Sequence, residues 1–221
     1  MFLHDFFSKQ ALTTIVTNEF LKKIITCDYK ATATIIKDVP IVVKNDVEPT
    51  CYDDFTVTFI NSFADDEPLK ELLDAARKLP RVKFFVTGGL NDARAKSSLV
   101  RQKPENVSFT GFLPNTRYFS LLKSSDAIIV LTTKDHTMQR GGYEAIYMRK
   151  PIIISGTGVL KEAFPKGAVF VDNSVPDIVR GILKMEKNIS LYTEGAGLLR
   201  REKLDLFKNK KKELLNLMKA H

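Results

Sequence analysis

Two short, purely apolar runs, Ala127-Ile128-Ile129-Val130 and Ile152-Ile153-Ile154 after Pro151, bracket a polar segment. This pattern limits the fold more than any other. Apolar runs that are continuous rather than alternating fit strands buried on both faces, as in a parallel sheet. The segment between them carries Lys134, Asp135, His136 and Arg140, then the pair Gly141-Gly142, then a short helical stretch with Glu144. Strand, polar loop, helix and strand make one turn of a parallel α/β fold. The loop leaves the carboxyl end of its strand, where open α/β sheets bind ligands.

The same alternation extends over residues 54–187. Strands are expected at 55–60, 82–87, 107–110, 127–131, 151–154 and 168–171. Helices are expected over 69–79, 93–101, 115–122, 158–164 and 175–187. Pro68 suits a first helical turn, with Asp65 or Asp66 as the cap. Leu69, Leu72, Leu73 and Ala76 share one helical face, and Ile178, Val179, Ile182 and Leu183 another. Upstream, a strand at 11–17 precedes a helix from Glu19 to Ile25 capped by Asn18, with Phe20, Leu21, Ile24 and Ile25 as its apolar face. A strand at 31–36 and a linker at 37–53 holding Pro40 and Pro49 follow, while residues 1–10 contain Phe2, Leu3, Phe6 and Phe7. Downstream, 198–220 reads as a basic helix with a stripe of Leu204, Phe207, Leu214, Leu215 and Met218 beside Lys208, Lys210, Lys211 and Lys212. The expected parts are 1–53, 54–187 and 188–221.

At 221 residues the chain is long enough for one sizeable core. No apolar run reaches bilayer-spanning length, and the first residues lack a signal-peptide pattern. The two cysteines, Cys27 and Cys51, have no metal-ligand spacing; they read as structural thiols of a reduced, cytosolic chain. A net charge of +8 favours anionic partners, part of it residing in the C-terminal run.

Glu144-Ala145, then a gap, then Lys150-Pro151-Ile152-Ile153-Ile154-Ser155 resembles the signature of the retaining, group 1 glycosyltransferases. Phe84 to Gly89, Val107 to Phe112, Gly167 to Val171 and the Asp172-Asn173 turn are similar to family segments in the same order. The resemblance covers 54–187 well and 11–50 weakly. It implies one half of a GT-B fold: a Rossmann-like parallel sheet with helices on both faces, here followed by a basic C-terminal helix. It implies a hexosyltransferase half of polysaccharide biosynthesis that binds a nucleotide sugar as substrate, with no cofactor and no metal. Glu144 becomes the ribose-binding carboxylate. Gly141 and Gly142 open a helix N-terminus to a diphosphate, by close backbone approach. Ser62, Gly88, Gly89, Gly111 and Phe112 border the donor.

Two positions depart from the family pattern. Where the family carries another acid, against the donor sugar, this chain has His136, with Asp135 beside it as a substitute; these two are the catalytic candidates. The loop after the first strand lacks the family's basic residues and offers Asn61-Ser62-Phe63 and then Asp65, Asp66 and Glu67. Arg140 is therefore the leading phosphate candidate, with Lys134 second.

Residues before 54 are too few for an acceptor domain. The open readings are a donor half working with an acceptor-domain subunit, a fragment, or a nucleotide-sugar-binding domain without its own activity. An epimerase-like protein is a rival. A nucleic-acid-binding domain is disfavoured, because Phe and Tyr fall on strands and helix faces rather than a basic face. The tail either packs on a domain or attaches peripherally to an anionic membrane through 198–221.

Overall fold

The computed structural model describes residues 11–41, 48–89 and 98–219. The expectations for residues 1–10, for part of the linker and for most of the helix at 93–101 lie outside them. In chain order the elements are β1 (Thr14–Val16), α1 (Glu19–Lys23, continued by a π-helical turn Ile24–Asp28), β2 (Ala33–Ile35), β3 (Thr56–Phe59), α2 (Leu69–Arg77), β4 (Lys83–Thr87), α3 (Ser98–Arg101), β5 (Val107–Gly111), α4 (Asn115–Ser124), β6 (Ala127–Val130), α5 (Arg140–Tyr147), β7 (Ile152–Ser155), α6 (Gly158–Ala163), β8 (Ala168–Val171), α7 (Val175–Lys187) and α8 (Ile189–Lys219).

β3 to β8 form one parallel six-stranded sheet in the order β5-β4-β3-β6-β7-β8. Strand period two sends successive side chains to opposite faces. Val57, Phe59, Ile129 and Ile153 face one core, with Leu72 and Leu73 of α2 and Ile178 and Ile182 of α7. Ile128, Val130, Ile152 and Ile154 face the other, with Leu122 of α4, Ala145 and Ile146 of α5, and Leu160 of α6. Both faces are covered, which is why the runs read as continuous apolar sequence. Each of these fully buried branched side chains contributes roughly 1.5–3 kcal/mol.

β1 and β2 make a separate two-stranded parallel sheet. Asn18 caps α1 as expected, its side chain accepting from the Leu21 amide at 2.9 Å. The expected apolar face of α1 is only partly inward: Ile25 is buried, but Phe20 and Leu21 are exposed. Leu183 of α7 likewise faces outward.

Three local expectations are corrected. Pro68 is itself the N-cap residue of α2, without a side-chain cap, because Asp66 and Glu67 are engaged elsewhere. The last helix begins at Ile189, ahead of the expected start, and runs for 31 residues. Gly167, at φ +69°, and Gly195 seat it closely: a Cβ on Gly167 would collide with the Ala196 backbone. Its Ala196 and Leu199 are buried, whereas Leu206, Leu215 and Met218 are exposed. Both cysteines are exposed rather than structural. Among the described residues, no helix is long and apolar enough to cross a membrane.

Candidate functional site

The chain runs from β3 outward to β4 and β5, then returns to place β6 on the other side of β3. The loops after β3 and β6 therefore diverge at a topological switch point, where such sheets form a ligand crevice.

The β6 loop is anchored at its start. Thr132 donates its hydroxyl to Asp66 Oδ2 at 2.6 Å, and the Thr133 amide donates to the Asp66 carbonyl at 2.8 Å. The Thr132 hydrogen bond, with the Lys134 ammonium 3.3 Å away, holds the Asp66 carboxyl below its ordinary range. Asn173 spans to the same loop, donating to the Thr132 carbonyl at 2.9 Å and accepting from Ser155 Oγ at 2.7 Å. Lys134, the second phosphate candidate, is thus already paired with Asp66.

Past this anchor the loop turns through His136, in the left-handed region at φ 57°. The His136 amide donates to Asp135 Oδ1 at 2.8 Å, and its carbonyl accepts from Asn18 Nδ2 at 3.2 Å. The imidazole stacks on Phe20, with ring centroids 4.1 Å apart and planes 9° from parallel. The N-terminal helix therefore covers one face of the His136 ring.

α5 begins at Arg140, so Glu144 lies in its second turn. Its side chain is only 14% exposed. Glu144 Oε1 accepts from Arg140 Nε at 3.1 Å, and Oε2 accepts from the Tyr118 hydroxyl at 2.5 Å. Arg140 is mostly exposed and also faces Asp38 Oδ1 at 3.8 Å. A carboxylate with two partners keeps lone pairs for further donors, and an exposed guanidinium can turn to an anion.

The glycine pair has a packing role. Gly141 and Gly142 are buried. A Cβ on Gly141 would lie 3.0 Å from Ile60 Cδ1, and one on Gly142 2.8 Å from Phe164 Cζ. They let α5 pack closely against Ile60 and Phe164.

The β3 loop is organised around an acid. Ser62 donates its amide and hydroxyl to Glu67 at 2.7 and 3.0 Å, and the Ala64 amide donates to the same carboxylate at 3.2 Å. The donors expected of Ser62 are spent on Glu67. Gly88, at φ +120°, leaves room for this loop, because a Cβ would lie 2.7 Å from the Asn61 carbonyl. Gly89 meets nothing within 4 Å. Gly111, at φ +69°, ends β5 and turns the chain to Phe112, which is 86% exposed. That turn leads into α4, whose Tyr118 reaches Glu144.

Arg140, Glu144, Tyr118 and Asp38 thus form one cluster, with Asp135 and His136 on the preceding loop. Sequence reasoning missed Tyr118, Asp38, Phe20 and Glu67, since none lies in a motif. Among the described residues no group of His, Cys, Asp or Glu is arranged to hold a metal ion. The site offers a partly buried carboxylate for hydroxyls, an exposed guanidinium for an anion and an exposed aromatic ring.

The profile of the family described as Glycosyl transferases group 1 matches residues 46–194. No curated protein matches the chain. Among solved structures, HepE from Anabaena in complex with UDP and glucose is similar at TM-score 0.77 and 13% identity, over 99% of this chain and 66% of that one. Sucrose-phosphate synthase from Thermosynechococcus elongatus is similar at TM-score 0.74 and 16% identity, over 99% and 60%. A GtfA/B complex is similar at TM-score 0.70 and 11% identity, over 99% and 48%. At these identities the likeness is one of fold, and the chain spans less than two thirds of each.

Proposed function

Because the chain belongs to the group 1 glycosyltransferases, we propose that it is the nucleotide-sugar-binding half of such an enzyme, passing a hexosyl group to a glycan or lipid-linked acceptor. The observation that carries this reading is the Glu144 carboxylate. It is held by Tyr118 and Arg140 in the second turn of α5, beside the switch point of the sheet. Glu144 accepts hydrogen bonds from the vicinal hydroxyls of a ribose. Arg140 turns from Glu144 and Asp38 to the diphosphate, aided by the positive end of α5. Gly111 and Phe112 border the base, and Gly88 shapes the adjoining edge.

Catalysis in this reading is positioning plus stabilisation of the charge on the leaving diphosphate. His136 and Asp135 stand nearest the transferred sugar and hydrogen-bond its hydroxyls. The Glu67 carboxylate repels phosphate from the β3 loop, which leaves the charge to Arg140. The nucleotide sugar is a substrate, with no cofactor required.

The likeness to a GtfA/B complex supports an acceptor-binding partner subunit. The exposed Leu206, Leu215 and Met218 of α8, beside Lys208, Lys211 and Lys212, support peripheral contact with an anionic membrane from the cytoplasmic side. Liposome flotation that is unaffected by removing 198–221 refutes that contact.

A thermal-shift panel of nucleoside diphosphates and their sugars tests the main reading. Stabilisation by one base class, lost in Glu144→Ala, supports it. No shift with any member refutes it.

A further inference from the structure

His136 occupies the left-handed backbone region at φ 57°. A residue with a Cβ takes that conformation at a cost, and keeps it where its surroundings fix it. Three contacts fix this one. The His136 amide donates to Asp135, the Asn18 side-chain amide donates to the His136 carbonyl, and the Phe20 ring lies on the imidazole. Two of the three come from the start of α1, and Asn18 lies 118 residues earlier in the chain.

Local packing accounts for neither upstream side chain. Phe20 is 45% exposed, so burial in a core does not explain an aromatic ring there. Asn18 is buried and divides its side chain between two tasks: Oδ1 caps α1 through the Leu21 amide, and Nδ2 turns to His136. Capping needs only the acceptor, which Ser supplies as well as Asn. The donor half of Asn18 is surplus to the cap, and it is spent on the His136 carbonyl.

The stack restrains the imidazole without using a hydrogen-bonding atom. The two planes are 9° from parallel, so both ring nitrogens lie on the edge rather than under Phe20. Nε2 is 4.0 Å from Asp135 Oδ2, too far for a hydrogen bond, and the side chain is 49% exposed. A carboxylate at this position would offer no ring to stack. The histidine that departs from the family pattern and the outward Phe20 therefore explain each other.

We propose that Phe20 and Asn18 are positioning residues, which hold the His136 imidazole in the orientation that meets the hydroxyls of the donor sugar. The proposal rests on the reading of the chain as a nucleotide-sugar-binding half. It adds that the segment before β3 completes the sugar end of the site. A side chain already held in place loses less freedom on binding. A bare nucleoside diphosphate has no sugar to offer His136 and gains nothing from the stack.

Calorimetric titration of the full chain with UDP-glucose and UDP, GDP-mannose and GDP, and ADP-glucose and ADP tests this. For the pair that the parent binds, Phe20→Ala is expected to weaken the nucleotide sugar about threefold to tenfold, the scale of one hydrogen bond, and to leave the diphosphate unchanged. Phe20→Tyr keeps the ring and the affinity. Asn18→Ser keeps the cap of α1 but loses the donor to His136, and weakens the nucleotide sugar in the same sense. In a His136→Ala background Phe20→Ala has no further effect, because Phe20 acts through the imidazole. The ring-proton NMR signal of His136, identified by its loss in His136→Ala, moves downfield in Phe20→Ala and stays in Phe20→Tyr. Equal losses for nucleotide sugar and diphosphate, or additive effects with His136→Ala, mark a purely structural role and overturn the proposal. So does a gain of nucleotide-sugar affinity in Phe20→Ala, which means that the ring blocks the site, or an unmoved His136 signal. Diphosphate binding with an unchanged response to the sugar in Phe20→Ala overturns the positioning role alone; no binding of any pair by the parent refutes the donor reading and the proposal with it.

Discussion

Tyr118→Phe removes one oxygen from the candidate site. That oxygen donates to Glu144 Oε2 at 2.5 Å. Burial, with the negative charge of Glu144 beside it, holds the Tyr118 phenol protonated far above its ordinary range, so it donates wherever the fold persists. A hydrogen bond to a charged group contributes about 1.5–3 kcal/mol. Glu144 is 14% exposed, so water replaces part of the lost bond, and the lower end of that range, about 1.5–2 kcal/mol, is expected. For a chain of this size the melting temperature falls by roughly 3–8 °C. Thermal unfolding by circular dichroism reads the change directly. Nucleoside diphosphate affinity is not expected to fall, because Glu144 Oε2 gains a free lone pair. A melting temperature within a degree of the parent refutes the phenol–carboxylate bond. Loss of nucleotide binding refutes the assignment of Glu144, rather than Tyr118, to the ribose.

Two further outcomes follow from packing and burial. Gly142→Ala drives a Cβ to 2.8 Å from the buried Phe164 ring; overpacking of about 1–3 kcal/mol outweighs the roughly 1 kcal/mol gain in helix propensity. Gly141→Ala meets Ile60 at 3.0 Å and is the better tolerated of the pair by denaturant titration, with nucleotide binding retained; the reverse order contradicts the packing role. Lys203 is expected to make stability rise with pH from about 8 toward the ordinary lysine range. The folded chain releases this proton before the unfolded chain does, so unfolding takes up a proton in that window. Comparing Lys203→Met with the parent isolates the effect; identical pH profiles contradict it.

Residues 54–187 were legible because the central strands β6 and β7 are continuous apolar runs, β3, β4, β5 and β8 end at Asn, Gly or Asp, and α2 and α7 carry recognisable apolar stripes. The long α8 was only half legible: its start was expected at 198, whereas Gly195 seats the helix against Gly167, a contact set by tertiary packing. The same limit explains the glycine pair, where Phe164 and Ile60 come from distant segments. Glu144 was legible through its motif, but its partners were not. Tyr118 comes from a neighbouring helix and Asp38 from a linker without periodicity. Acidic residues before α2 pointed to a cap, whereas Glu67 turned back to gather the Ser62 and Ala64 donors. His136 was visible as a departure from the family pattern. Its stacking on Phe20 was not, because an outward aromatic on α1 has no signal in local sequence.

Titration calorimetry of the parent chain and Glu144→Ala, with the nucleoside diphosphate giving the largest thermal shift, tests the central claim. The parent is expected to bind saturably, with affinity weakened at least about tenfold when the carboxylate that accepts the ribose hydroxyls is removed. Equal affinity in both proteins contradicts it.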